Sequence, residues 1–422
     1  MSEEFEICVD DTTIVVNKSI TLQGHNYTPL LTCNKNQYAF NITGNSHLNV
    51  SVTISNIMFF HVNVVKVPCK PKSHGIFAVH NANIYITGCK FQHVCNAVEL
   101  AYDRQTIYFT SIHSSTFSQV EVVVRADNIT SASIYLNAVN ITGTASDRLT
   151  NGTSYAVSIE SSHILFFHVK DSVIQQTHEG ISLGIRGGIY RISITSTLIT
   201  ENLDQGIIAV FHKNLQKTKS RFVIRNVNFK RNRGFLASAI SLMTNEKSDE
   251  TLVEVSHCQF YENEADSFSG SVHVDGVGMN ISNSVFQNNI VGKLHGTIQG
   301  FGGAIYIESK TQVNIFHSKF VNNSCSGFGG TIFSRGTVHC TNCSFVGPSD
   351  ILIRPLMGDI LYATAGLKLV NTTWVSTVTT SEIPKPFIWH PGSPTREVWN
   401  ISLEENFKAI CPLGHNMTSS GS

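Results

Sequence analysis

Phe222-Val223-Ile224-Arg225-Asn226-Val227-Asn228-Phe229 returns as Val253-Glu254-Val255-Ser256-His257-Cys258-Gln259-Phe260. It returns again as Met279-Asn280-Ile281-Ser282-Asn283-Ser284-Val285-Phe286 and as Val313-Asn314-Ile315-Phe316-His317-Ser318-Lys319-Phe320. Each copy reads apolar-x-apolar-x-(Asn or His)-x-x-Phe. Alternation with period 2 marks a strand, not a helix. Two inward residues precede a turn residue, often Asn, which tolerates the left-handed conformation that a sharp corner needs. A second short strand then carries an aromatic or aliphatic anchor inward.

The same pattern extends in both directions. Upstream it gives Val52, Ile54, Asn56, Phe59 and Ile84, Ile86, Gly88, Phe91. Weaker copies end at Phe117, Ile141 and Ile174, and a clear one reads Ile192, Ile194, Ser196, Ile199. Downstream it gives Val338, Cys340, Asn342, Phe345 and Leu367, Leu369, Asn371, Trp374. The anchors recur about every 29 residues. A third strand follows the next loop, as in Gly75-Ile76-Phe77-Ala78-Val79 and Gly303-Ala304-Ile305-Tyr306-Ile307. Three short strands per unit, none able to bury its apolar face alone, predict stacked coils. The expected fold is all-β: a right-handed single-stranded parallel β-helix of about 12–13 coils. It is expected over residues 13–380, after a lead-in or cap at 1–12. A Pro-containing cap over 381–422 is expected to end it.

The chain has 422 residues with 30 basic and 30 acidic side chains; 14% are charged and 41% hydrophobic. A chain of this length buries a sufficient core without a metal or disulfide. Its composition excludes a disordered polyelectrolyte, and its balance argues against a nucleic-acid partner, which needs a basic surplus or patch. No apolar run of about 18 residues is present, so no membrane span is expected within the chain. The acidic opening Met1-Ser2-Glu3-Glu4 lacks the apolar core of a signal peptide.

Compartment is read from Asn and Cys. N-x-S/T triplets begin at Asn17, Asn26, Asn41, Asn49, Asn128, Asn140, Asn151, Asn280, Asn322, Asn342, Asn371, Asn400 and Asn416. Chance gives roughly seven, so glycosylation and an extracellular or cell-surface location are expected. The disulfide candidates are Cys8 with Cys33, Cys69 with Cys95, and Cys325 with Cys340 or Cys343. Cys89 and Cys258 sit two residues before an inward Phe and are expected to be buried fillers. Cys343 shares that column, which weakens its case as a disulfide partner. No cofactor or metal is expected: Cys340-Thr341-Asn342-Cys343 stands alone, and His163 and His168 lack a third ligand at ligand spacing.

Two tetrapeptides add a resemblance. F-x-x-N occurs at Phe229–Asn232, Phe260–Asn263, Phe286–Asn289 and Phe320–Asn323. G-G-A-I occurs at Gly302–Ile305, with the variant Gly329-Gly330-Thr331-Ile332. From about residue 222 to 345 the chain resembles the repeats of chlamydial polymorphic outer membrane proteins and related β-helix regions of animal cell-surface proteins. The resemblance implies adhesion or cell-surface contact. The Asn is expected to stack as an inward ladder and the Gly pair to let backbones pass closely. The tail from Cys411-Pro412-Leu413-Gly414 resembles the opening of a Cys-rich ephrin-receptor-like or growth-factor-like module, implying a piece of a longer membrane protein.

The expected function is therefore a non-catalytic β-helix ectodomain presenting an extended surface to a protein or glycan ligand. The alternative is a secreted polysaccharide lyase or glycoside hydrolase, since both use this fold. Such chemistry needs carboxylates converging on one groove. The best candidates are His178 and Glu179 before Gly180 and Asp204 before Gly206, which the aligned glycines bring to successive coils. Glu201, Arg231 and Glu262 each follow an inward anchor by two residues and are expected to form an exposed ladder of alternating charge.

Overall fold

The computed structural model describes residues 13–32, 38–44, 50–61, 75–103, 106–143, 154–212, 220–244, 252–292, 300–347, 360–375, 388–389 and 396–403. The chain is an all-β parallel solenoid, and no helix occurs among the described residues. It divides into two compact units: Met1–Leu203 with Phe211–Ser220, and Asp204–Val210 with Arg221–Ser422.

In the first unit the anchor strands stack in parallel register as Phe59↔Phe91↔Phe117↔Ile141↔Ile174↔Ile199. The two Phe contacts are face to face, at 4.8 and 4.7 Å between centroids. In the second unit the register is Phe229↔Phe260↔Phe286↔Phe320↔Phe345↔Trp374. The first five rings stack at 4.9, 4.3, 4.8 and 4.7 Å. One residue type at one position in every coil produces this column, because parallel in-register strands place like on like. The parallel ladder continues through Arg396–Leu403.

Corner residues behave as the pattern requires. Asn226, His257, Asn283, His317, Asn342 and Asn371 have φ between 47° and 55°. A second left-handed corner follows the anchors Phe229, Phe260, Phe286 and Phe320, at Arg231, Glu262, Asn288 and Asn322 with φ of 51–55°. Glu201 occupies the same corner in the first unit, with φ 57°. The backbone turn thus explains the periodicity of Glu201, Arg231 and Glu262 better than charge pairing does. The residue after this corner points inward. There Asn232, Asn263, Asn289 and Asn323 are fully buried. Each amide oxygen accepts the backbone N–H of the preceding coil's Asn, at 3.1 Å in all three steps. Side-chain to side-chain bonds at 3.1, 3.0 and 2.8 Å run beside them.

Gly302 and Gly329 have φ of 61° and 65°. At the neighbouring Gly303 a Cβ would stand 2.1 Å from the Gly330 carbonyl oxygen. The Gly pair therefore supplies both a left-handed turn and a close backbone approach.

Cys89 and Cys258 are buried free thiols, in the column expected of fillers. Cys95 is disulfide-bonded. The pairing of Cys325 with Cys340 or Cys343 is corrected: all three are buried thiols, none in a disulfide. Cys325 sits on a corner strand and donates to the Phe328 carbonyl at 3.3 Å, whereas Cys340 occupies the inward column between Ile315 and Leu369. Cys8, Cys33, Cys69 and Cys411 lie outside the described residues.

Candidate functional site

In the second unit the strands Ile240–Thr244, Val272–Asp275, Ile305–Ile307, Ile332–Ser334 and Leu361–Ala363 form one parallel sheet. Val272, Val274, Ile305 and Ile307 point into the core and are fully buried. Period-2 alternation therefore turns the intervening residues outward. One outward column reads Ser241, His273, Tyr306, Phe333, Tyr362. His273 meets Tyr306 at a tilt of 43° and 5.4 Å, and Tyr306, Phe333 and Tyr362 stack at 5.1 Å in each step.

A second aromatic row covers this column. Phe268, Phe301 and Phe328 stand at the corners before the strands and stack at 6.1 and 5.7 Å. They meet the first row edge to face: Phe268 on Tyr306 at 5.2 Å, Phe301 on Phe333 at 4.9 Å, Phe328 on Tyr362 at 5.2 Å. Edge-to-face packing matches the positive ring edge to the negative face. His273, Tyr306 and Phe333 are buried as a result, while the covering rings stay half-exposed.

Beside the rings runs a charged outward column. The Glu308 N–H donates to the Val274 carbonyl at 2.9 Å, and the Arg335 N–H to that of Ile307 at 2.8 Å. Asp275, Glu308 and Arg335 thus occupy one position on three successive coils. The Tyr306 hydroxyl donates to Glu308 Oε1 at 2.8 Å, and Arg335 Nη1 lies 3.7 Å from Glu308 Oε2. Arg335 also stands 5.8 Å over the Phe333 ring. Burial, and then the Glu308 charge, push the Asp275 carboxyl above its ordinary value. Burial holds His273 down at about 4 despite Glu308, so its imidazole is neutral at neutral pH. Its Nδ1 lies 3.4 Å from Ser241 Oγ.

Two carboxyl groups with different surroundings therefore share an aromatic-lined outer face. One leans toward its protonated form; the other is held by a guanidinium and a phenol. A carboxyl raised by burial beside a second, anchored carboxyl is what acid–base chemistry on a glycosidic bond requires. Sequence reading missed this pair because it followed the inward residues of each strand. The outward residues of Val272–Asp275 and of Ile305–Glu308 carried the signal.

The candidates taken from the sequence are distributed as follows. His178 and Glu179 belong to the first unit and Asp204 to the second. The His178 N–H donates to Ser154 Oγ at 2.9 Å, and the Glu179 N–H to the Ser154 carbonyl at 3.0 Å. All three side chains are half-buried. Among the triplet asparagines, Asn17, Asn128, Asn140, Asn342 and Asn371 are exposed, and Asn41, Asn280 and Asn322 are half-buried. Asn280 Oδ1 accepts a bond from Asn314 at 2.9 Å. The side chains of Asn26 and Asn400, and all of Asn49, Asn151 and Asn416, lie outside the described residues. No described helix is long and apolar enough to cross a membrane.

No family model matches the chain, and no curated protein does. Similar solved structures include a GH87 alpha-1,3-glucanase catalytic domain in complex with tetrasaccharides. It is 11% identical, with a TM-score of 0.46, covering 75% of this chain and 59% of that one. Another is the catalytic domain of a GH87 alpha-1,3-glucanase in complex with nigerose, 13% identical, with a TM-score of 0.40 and coverages of 93% and 63%. The chain spans about 59–63% of the length of these two domains. The likeness at this identity is one of fold. Those solenoids are catalytic domains of alpha-1,3-glucanases, so none of them supports the expectation of a non-catalytic surface.

Proposed function

We propose that the chain is a glycoside hydrolase acting outside the cell, with Asp275 as general acid and Glu308 as its partner carboxylate. One observation carries the reading: the Asp275 carboxyl is raised by burial and by Glu308, on the coil next to it, beside a half-exposed row of rings. Aromatic rings suit the C–H faces of sugars. The triplet excess and the Cys95 disulfide support an oxidising, secretory compartment.

Neighbouring strands lie about 4.8 Å apart. Side chains at one position on adjacent strands can reach the roughly 5–5.5 Å carboxyl separation of retaining glycosidases, the geometry taken for this pair. Glu308 is therefore assigned as nucleophile. Asp275 gives its proton to the glycosidic oxygen, and the leaving sugar departs as an alcohol. A Glu308 oxygen bonds the anomeric carbon. Water, losing a proton to the Asp275 carboxylate, then displaces Glu308. The Tyr306 hydroxyl and Arg335 position the Glu308 carboxylate for attack.

The test is release of reducing ends from a panel of α- and β-linked polysaccharides. Glu308→Gln is expected to lower the rate at least about 10³-fold, and Asp275→Asn about 10²–10⁴-fold. Activity is expected to fall as pH rises through the raised Asp275 value, because the acid must be protonated. Asp275→Asn removes that limb of the profile. If both variants keep wild-type rates, the assignment is wrong; if Asp204→Ala alone abolishes release, the chemistry belongs with the sequence-derived candidates. No release from any polysaccharide removes the hydrolase reading.

A further inference from the structure

We infer that the outward face of the middle strands of the first unit is a binding strip for an extended, uncharged glycan chain. The inference does not depend on bond cleavage or on the second unit's carboxyl pair. Four successive strands build the strip: Asn83–Thr87, Tyr108–His113, Val122–Asn137 and Tyr155–Lys170, with Ile189–Thr195 at its end. One outward column reads Tyr85, Ser111, Tyr135, His168, Ser193. The adjacent column reads Phe109, Ser133, Phe166, Arg191.

A serine separates two rings in each column, Ser111 between Tyr85 and Tyr135 and Ser133 between Phe109 and Phe166, and these two series are out of step by one coil. Tyr85, Phe109 and Tyr135 are 37%, 43% and 37% exposed. They are the exposed aromatic residues of the first unit among its described residues. His168 stacks on Tyr135 at 4.8 Å, and the Arg191 guanidinium stands 5.8 Å over Phe166. Arginine is the single charged side chain in the two columns. Burial holds His168 below the ordinary histidine range, so it is neutral at neutral pH.

A second observation points to a ligand. Ser133 lies between Phe109 and Phe166 in the strip, is 1% exposed, and its hydroxyl has no hydrogen-bond partner among the described residues. An unmet hydroxyl at the floor of an exposed aromatic row costs free energy until something bonds to it. Asn137 Oδ1, two residues on along the same outward face from Tyr135, is likewise unmet.

Chemistry selects the occupant. An apolar protein face would leave Ser111, Ser133 and Asn137 unsatisfied, and a charged polymer would find one guanidinium in two columns. A neutral sugar chain offers C–H faces to the rings and hydroxyls to the Ser and Asn groups. Rings two coils apart in one column, such as Tyr85 and Tyr135, stand about 9.6 Å apart at the usual strand spacing. That is close to the repeat of two sugars in an extended chain.

The test is affinity electrophoresis of the whole chain in gels containing a neutral α-glucan, a neutral β-glucan or polygalacturonate. At least one neutral glucan is expected to retard the protein, and polygalacturonate is not. Phe109→Ala with Tyr135→Ala is expected to weaken retardation at least about tenfold. Both side chains are exposed, so the fold is expected to survive; an unchanged melting temperature checks this. Phe316→Ala, an exposed ring of the second unit, is expected to leave retardation unchanged. No retardation by either neutral glucan overturns the proposal, as does retardation that the double variant leaves intact. Dimerisation that Tyr135→Ala abolishes would make the strip a self-association face and overturn it too.

Discussion

The coils of the two units place a residue at the same inward position, one step after the left-handed corner, and fill it differently. In the first unit it holds Val94 and Val120, each 1% exposed, then Thr177 and Asn202. In the second it holds Asn232, Asn263, Asn289 and Asn323. The backbone corner is alike: φ is 54° at both His93 and Gln119, and 51–55° from Arg231 to Asn322. One pocket therefore accepts two chemistries. Valine fills it by dispersion and excludes water. Asparagine fills it only as a member of a series, because each amide needs the next coil's amide. Thr177 marks the change: its N–H and Oγ donate to Asn202 Oδ1 at 3.1 and 2.6 Å. A buried ladder is strong when complete and costly when interrupted.

That contrast can be broken from either side. Asn263→Val imports the first unit's filling into the middle of the ladder. It removes the acceptor for the Asn232 N–H and amide, and the donor to the Phe229 carbonyl and Asn289. A loss of about 3 kcal/mol is expected by denaturant titration; a loss below about 1 kcal/mol would mean that volume alone matters. Val94→Asn makes the reverse exchange and buries an amide beside Val120. A loss of about 2 kcal/mol is expected, and the further change Val120→Asn should recover part of it through coupling.

The units also differ in how burial meets pH. Burial raises Glu121 of the first unit from 4.5 to about 7. Its folded form holds a proton that the unfolded form has lost, so stability falls as pH rises from about 4.5 to 7. Burial lowers His273 of the second unit from 6.5 to about 4. There the unfolded form binds the extra proton, so stability falls as pH drops from 6.5 to about 4. Glu121→Gln should raise the melting temperature by about 2–4 °C at pH 8 and do nothing at pH 4. His273→Gln should help only at the acidic end. A Glu121→Gln gain that is the same at both pH values would refute the burial argument. The smallest effect is expected at the corners: Glu262→Asn should stabilise by about 0.5 kcal/mol, since Asn accepts positive φ more readily.

The outer faces teach a parallel lesson about chemistry. On the corresponding strands of the first unit the carboxylates are paired: Glu99 with Tyr38, Asp127 with Arg125 at 3.2 Å, and Glu160 with Arg186. On the second unit's face Glu308 is paired, while Asp275 is pushed up by burial. The difference comes from the aromatic layer, which dries one face and leaves the other to ion pairs.

The coil repeat was legible because inward positions recur in type: Phe229, Phe260, Phe286, Phe320 and Phe345 could hardly be read otherwise. Cys89 and Cys258 as fillers, and the inward Asn ladder, followed from the same columns. The Cys325–Cys340 pairing failed because loop length says nothing about which column a thiol joins. The Asp275–Glu308 pair escaped because outward residues vary from coil to coil and carry no period.

What the sequence determined by itself was the solenoid and its core, since burial in stacked parallel strands imposes one residue class at one spacing. What only the tertiary structure decided was which outward residues meet. Corner rings such as Phe268 and Phe301 fold over neighbouring strands, and the register of coils about 30 residues apart sets which carboxyl lies beside which. Neither the fold of a corner nor the length of a loop leaves a period in the sequence, and the site is made of both.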